Sequence, residues 1–75
     1  MSRETAELVR MRALVHGGVV RDLRVDAGLT LREVAKAVGV TASTIHRWEH
    51  GKRPTGDAAV RYARLLFELE TLARR

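Results

Sequence analysis

The chain has 75 residues, which is enough for one small domain. It carries 14 Lys and Arg against 9 Asp and Glu, a formal net charge of +5, and it has no cysteine, which excludes a disulfide framework and a thiolate metal site. No apolar run approaches the roughly 18 residues that span a bilayer, and Glu4 and Glu7 stand where a signal peptide is apolar. We therefore expect a soluble intracellular protein, and the basic surplus points weakly to nucleic acid as a partner.

Glycines divide the chain into four to five candidate helices, and no alternating apolar and polar run indicates a strand. The first helix is predicted over about residues 3–16 and the second over 18–27, ending at Gly28. Two apolar stripes run along the first helix, one formed by Ala6, Val9 and Ala13 and the other by Leu8, Met11 and Val15. The pattern predicts an all-α fold.

The next two helices carry clear start and stop signals. Thr30 and Glu33 have the spacing of a capping box, and Gly39 is expected to end that helix in a left-handed conformation. A further helix is predicted after a cap at Thr41, ending at Gly51. A long helix over about 57–73 completes the chain, since no glycine or proline interrupts it.

Two short helices joined by a tight glycine turn, from Leu31 to His50, form the most informative segment. Ala35 is small enough for the second helix to cross closely over the first, and Gly39 permits the sharp turn. Ile45 and Trp48 are predicted to face inward. Several residues near the N-terminus of the second helix then face outward, namely Thr41, Ala42, Ser43, His46 and Arg47. A helix exposed in this way fits the major groove of DNA.

The run LTLREVAKAVGVTASTIHRWEHGKRP resembles the helix-turn-helix of the Cro/cI family of phage and bacterial repressors, an XRE-like DNA-binding family. The similarity covers about residues 18–66. It implies a lambda-repressor-like domain over residues 1–75, with an extra N-terminal helix in 1–16, a helix-turn-helix core in 18–54 and a C-terminal helix in 55–75. Typical members break that last region into two helices.

The resemblance also implies roles for individual residues. The set expected to contact bases and phosphates comprises Thr41, Ala42, Ser43, His46, Arg47, Lys52, Arg53 and Arg32. Lys52 and Arg53 take the positions of a loop that grips the phosphate backbone. Arg24 and Glu49 match an ion pair that ties the first family helix to the recognition helix, although a solvated surface charge is the alternative for Glu49.

The amide side chains that read adenine are missing. Many relatives carry Gln at the positions of Leu31 and Ala42, where it contacts a phosphate and a base respectively, but this chain contains neither Asn nor Gln. Arg47 is suited to a bidentate contact with guanine, so we expect a G·C pair in each half-site. A phosphate contact or a solvated charge is the alternative for Arg47.

The residues His46 to His50 also match the H-x-x-E-H pattern of one class of zinc peptidases. Histidines four apart share a helical face, but a catalytic zinc site needs a third protein ligand and a cleft. We therefore predict no enzyme activity, no catalytic or metal-ligating residue and no cofactor.

The long C-terminal helix has more apolar positions than one stripe, including Tyr62, Leu66, Leu69 and Ala73 on one line and Phe67 and Leu72 on others. They either pack on the N-terminal helix or form a dimer interface, and we favour a homodimer. The sequence thus predicts a small transcriptional repressor, phage or bacterial, that occupies an operator of double-stranded DNA in the bacterial cytoplasm. The alternatives are an antitoxin, which would bind its own operator and a toxin, and an anti-repressor-like interaction module that keeps the fold. Either would bind a protein through the terminal helices.

Overall fold

The computed structural model describes residues 1–16 and 18–74. Gly17 and Arg75, which the sequence analysis places after the first helix and at the end of the last segment, lie outside the described residues. Five helices follow one another, α1 Arg3–His16, α2 Val19–Asp26, α3 Leu31–Val38, α4 Ala42–Glu49 and α5 Gly56–Ala73. The predicted all-α class is confirmed, with an additional N-terminal helix and an unbroken C-terminal helix. In the part of the chain that the structure describes, no helix is long and apolar enough to cross a membrane.

Helices α1, α3 and α4 begin where a side chain accepts a hydrogen bond from a backbone N–H group of the first turn. The Glu33 N–H donates to Thr30 Oγ1 at 3.1 Å, and the Thr30 N–H donates to Glu33 Oε1 at 3.0 Å, which completes the predicted capping box. Hydrogen bonding of the Glu33 carboxylate to the Thr30 backbone N–H, the largest cause, and to the Thr30 hydroxyl lowers the pKa of the Glu33 carboxyl. Ser2 Oγ accepts the Thr5 N–H at 3.1 Å at the start of α1.

All five helices contribute one face to a single apolar core. Its buried side chains are Met11, Val15, Val20, Val34, Ala35, Val38, Ile45, Trp48, Ala59, Tyr62, Ala63 and Leu66. Of the two stripes on α1, the one containing Met11 and Val15 is buried, while Val9 on the other is 53% exposed. On α5, Tyr62, Leu66 and Leu69 are buried, but Ala73 on the same predicted line is exposed.

Arginine–glutamate pairs connect α1 with α5, with the arginines exposed and Glu7 and Glu70 mostly shielded. Arg64 approaches both Glu4, at 3.5 Å, and Glu7, at 3.7 Å. Arg10 is paired with Glu70, and its guanidinium carbon lies 4.4 Å from the centre of the Phe67 ring, a cation–π contact. The terminal helices are therefore held together by apolar packing inside and by ion pairs at the rim.

Candidate nucleic-acid interface

The turn between α3 and α4 is fixed by its backbone. Gly39 follows α3 with φ of +85°, a left-handed conformation that favours glycine. The N–H groups of Gly39 and Val40 both donate to the Ala35 carbonyl, at 2.8 and 3.0 Å. Arg61 of α5 donates from Nε to the Val38 carbonyl at 2.7 Å, which satisfies another free carbonyl group at the C-terminal end of α3. These bonds set the angle at which α4 leaves the turn.

Two buried side chains hold the inner face of α4. Ile45 is 0% exposed and Trp48 is 5% exposed. The Trp48 ring lies against that of Tyr62, with ring centres 4.8 Å apart and planes tilted by 43°. Because α4 is anchored on this side, its opposite face must point to solvent. Ser43, His46 and Arg47 are exposed on that face.

The outer face of α4 and the start of α3 border one shallow depression. The residues lining it are Leu31, Ala42, Ser43, His46 and Arg47. The structure thus brings together four of the residues predicted to contact DNA, and Leu31, where many relatives carry Gln, lines the same depression. Arg32 is exposed in the first turn of α3, and Lys52 and Arg53 are exposed in the loop after α4. The contacts of all these residues with DNA remain predictions.

Thr41 and Thr44 organise the beginning of α4. Thr41 Oγ1 accepts the Thr44 N–H at 3.2 Å and lies 2.9 Å from Thr44 Oγ1. The Thr41 hydroxyl is therefore already used as a helix cap. Arg47 Nη2 donates to Thr44 Oγ1 at 3.3 Å, so Thr44 orients the arginine predicted to read guanine. Thr44 was not among the residues predicted from the sequence, although its spacing of three residues from Arg47 places both on one face of the helix.

His46 and His50 stack on the same helix face, with ring centres 4.1 Å apart and planes 28° from parallel. The His50 Nδ1 atom lies 2.8 Å from the His46 carbonyl oxygen, within hydrogen-bond distance. The intervening Glu49 is engaged elsewhere, by Arg24. Among residues 1–16 and 18–74, no group of three or more His, Cys, Asp or Glu side chains is placed to hold one metal ion.

Arg24 and Glu49 join α2 to the C-terminal end of α4. Arg24 donates from Nε to Glu49 Oε2 at 2.5 Å and from Nη2 to Glu49 Oε1 at 3.1 Å. The two side chains therefore form a bidentate salt bridge. The remaining Nη1 donates to the Leu29 carbonyl at 2.8 Å. Only 13% of the Arg24 side chain and 2% of the Glu49 side chain are exposed. The hydrogen bonds to Glu49 raise the pKa of Arg24, against the opposing effect of desolvation.

The charge on this part of the chain is positive. Residues 28–54 contain five basic side chains and two acidic ones. Of the acidic ones, Glu49 is paired with Arg24 and Glu33 caps α3. All the basic ones are exposed, namely Arg32, Lys36, Arg47, Lys52 and Arg53. The resulting surface favours a polyanion.

A family model described as helix-turn-helix matches residues 20–71. Comparison with curated proteins and with solved structures finds no match for this chain. The matched segment begins in α2 and runs into the last turns of α5, so it contains the α3–turn–α4 unit and leaves α1 outside. The family is one of DNA-binding regulators and is not typically enzymatic. The resemblance to the Cro/cI repressors is confirmed, and the chain belongs to this helix-turn-helix family of DNA-binding transcription regulators.

Proposed function

We propose that this protein binds a specific sequence of double-stranded DNA and acts as a small transcriptional repressor by occupying its operator. The exposed face of α4 supports this proposal most directly. Ser43, His46 and Arg47 point outward from a helix that Ile45 and Trp48 anchor on the other side. Such a helix in the major groove presents side chains to base edges. Occupancy of an operator represses by excluding polymerase from the same DNA.

The side chains on this face suggest how bases are read. Arg47, oriented by Thr44, reads guanine with two hydrogen bonds. Ala42 contacts a thymine methyl group, and Ser43 and His46 make less selective hydrogen bonds. Because Thr41 caps α4 with its hydroxyl, we assign it a phosphate contact rather than a base contact. Lys52, Arg53 and Arg32 bind phosphates and supply affinity without sequence preference.

Selection of bound sites from random duplex DNA tests the proposal. The wild-type protein is expected to enrich a motif that contains a G·C pair. Arg47→Ala is expected to lose about 1–3 kcal/mol of discrimination at that one position. The matched control is Lys52→Ala, which should weaken binding to all sequences alike. If Arg47→Ala weakens all sequences equally, Arg47 contacts phosphate, and if nothing is enriched, specific binding is excluded.

We further propose that the protein is a homodimer that joins through its terminal helices. Large apolar side chains on α1 and α5 are exposed, with Val9 at 53%, Phe67 at 42% and Leu72 at 57%. A two-fold dimer would hold two recognition helices about 34 Å apart, one turn of DNA. Sedimentation equilibrium tests the state of association, and a two-fold repeat in the selected motif tests its geometry. A monomer that binds a single half-site contradicts this arrangement.

The same exposed side chains favour a second candidate, a protein-binding module such as an antitoxin. That function predicts that Val9, Phe67 and Leu72 stay accessible in the protein on DNA. Hydrogen exchange of the free and DNA-bound protein separates the two candidates. Protection of these helix faces on dimerisation supports the repressor dimer, and continued exposure in the DNA-bound protein supports an antitoxin. Continued exposure with weak, salt-insensitive DNA binding supports an interaction module that works through protein binding alone.

A further inference from the structure

A small pocket lies between the end of α1 and the loop that follows α4. Its volume is about 150 Å³, and its lining residues are Arg12, Val15, His16, Gly51, Arg53 and Pro54. The first three belong to α1, which precedes the segment matched by the family model, and the other three belong to the loop next to the proposed DNA-binding face. The pocket therefore combines the additional helix with the helix-turn-helix unit.

The polar groups of this pocket are cationic or hydrogen-bond donors. Arg12 and Arg53 carry guanidinium groups, His16 contributes an imidazole, and no carboxylate lines the pocket. Within residues 1–16 and 18–74, none of these three side chains forms a salt bridge. This distinguishes them from Arg10 and Arg64 nearby, which are paired with carboxylates of the terminal helices. The positive charge at the pocket is thus uncompensated.

Arg12 provides a second, independent observation. Its Nε atom is enclosed and has no hydrogen-bond acceptor in the described part of the chain. A guanidinium group carries a positive charge, and the Arg12 side chain that bears it is only partly exposed. A partly buried cation with an unsatisfied donor is unfavourable unless an anion approaches it. The pocket is suited to a tetrahedral anion with several acceptor oxygens.

We propose that Arg12, His16 and Arg53 bind a phosphodiester group of the DNA backbone, so that α1 extends the contact with DNA beyond the helix-turn-helix unit. The inference rests on the proposed DNA binding and adds to it a phosphate site that α1 builds. Gly51 and Arg53 place the pocket directly after α4, beside Lys52. A phosphate bound there lies on the strand next to the base pairs that α4 contacts. The site provides affinity and register rather than base preference.

The salt dependence of DNA binding tests the site. The slope of log affinity against log salt concentration changes by about 0.9 for each phosphate contact on B-DNA. Arg12→Met is expected to reduce the slope by about that amount and to weaken all duplexes alike. The control is Arg74→Met, which removes the same charge from a side chain that is 71% exposed at the end of α5. Circular dichroism establishes that both variants are folded.

The outcomes separate the inference from the proposed function. An unchanged slope in Arg12→Met, or an equal reduction in Arg74→Met, overturns the phosphate site while leaving DNA binding by α4 intact. A wild-type protein that binds no duplex overturns the proposed function and this site with it. A reduced slope in Arg12→Met alone supports the site.

A measurement on the wild-type protein removes the dependence on variant folding. The NMR signal of the Arg12 Nε–H group is followed while duplex DNA is added and, separately, inorganic phosphate at constant ionic strength. A shift with duplex, with or without a shift on adding phosphate, supports the proposal. A shift with inorganic phosphate alone assigns the pocket to the free ion and overturns the DNA contact. The absence of any shift overturns the site altogether.

Discussion

Two contacts between helices in this molecule are made by arginine and glutamate, but with different geometry and exposure. Arg24 and Glu49 join α2 to α4 with a bidentate salt bridge, and only 2% of the Glu49 side chain is exposed. Arg64 joins α5 to α1 through Glu4 and Glu7, with about half of the Arg64 side chain exposed and single contacts of 3.5 and 3.7 Å. Arginine and glutamate thus form a mostly buried bidentate salt bridge between α2 and α4, and longer single contacts at the edge of the α1–α5 interface.

The difference teaches which helix must be held at a defined angle. A mostly buried bidentate salt bridge has one favourable geometry. Removing one partner leaves the other charge buried and unpaired, which lowers the free energy of unfolding. An exposed pair adds little and is screened by salt. Helix α4, which carries the proposed base contacts, is held by the first type of contact. The additional helix α1 depends on Met11 and Val15 in the core, and its rim pairs contribute little to its position.

The largest expected effect comes from breaking the mostly buried salt bridge. Arg24→Ala leaves Glu49 unpaired inside and is expected to lower the free energy of unfolding by about 3 kcal/mol, the lower end for buried pairs because Arg24 is partly exposed. For a domain of this size, the melting temperature should fall by more than about 10 °C. Glu49→Ala should cost less, since Arg24 keeps the Leu29 carbonyl and reaches water. Thermal unfolding followed by circular dichroism measures both.

A double variant sharpens this test. Arg24→Met with Glu49→Leu leaves no unpaired charge, so it should be more stable than Arg24→Ala alone. Neither single variant should lose a base preference in site selection at a temperature where it is folded. Unchanged melting temperatures in Arg24→Ala and Glu49→Ala would show that the pair contributes nothing to the contact between α2 and α4.

Tyr62 provides an intermediate effect of the opposite sign. Its hydroxyl is buried beside the Arg24–Glu49 pair and has no hydrogen-bond partner in the described part of the chain. Burial raises the pKa of Tyr62, and the negative charge of Glu49 raises it further. Tyr62→Phe removes the unsatisfied hydroxyl and keeps the ring packed on Trp48. We expect it to raise the free energy of unfolding by about 1 kcal/mol.

The pH dependence of this variant gives a separate check. The folded protein holds the phenol proton more tightly than the unfolded chain, whose tyrosine pKa is about 10. Below about pH 10 the phenol keeps its proton in both states, so this proton has no effect on the free energy of unfolding. Above about pH 10 the unfolded chain loses the proton more readily than the folded protein, so the wild type loses stability as the pH rises further. The stability difference between Tyr62→Phe and the wild type should grow in that range. A constant difference would contradict the raised pKa.

The smallest effect is expected at the edge of the α1–α5 interface. Arg64→Ala should lower the free energy of unfolding by about 0.5 kcal/mol in dilute buffer and by less in 1 M salt. Urea denaturation at two salt concentrations measures the change. A loss as large as that of Arg24→Ala would mean that α1 is held by its ion pairs rather than by its buried side chains.

Local signals predicted most of the fold. The capping box of Thr30 and Glu33 and the turn at Gly39 depend on residues within a few positions of each other, and the structure has them at the expected places. Local signals failed where two faces of a helix were equally apolar. The sequence offered two stripes on α1, and only packing against the other helices selected the one with Met11.

The candidate site was predictable to the same extent. The spacing of Ile45 and Trp48 determines which face of α4 is outside, so Ser43, His46 and Arg47 were found from the sequence. The hydrogen bond between Thr44 and Arg47 joins residues three positions apart on one helix, and it was not predicted from that spacing. The pocket with Arg12 and Arg53 was out of reach, because its two sides are about 40 residues apart in the chain.

The sequence by itself determined the all-α class, the turn between α3 and α4 and the outer face of α4. These features follow from caps, glycine conformations and helical periodicity, which act over a few residues. Only the tertiary structure decided which arginines are paired and which are free. Arg24, Arg61 and Arg64 have partners in distant segments, whereas Arg12 has none in the described residues. The physical reason is that the partner of a charge depends on where separate helices pack, and the core sets that packing.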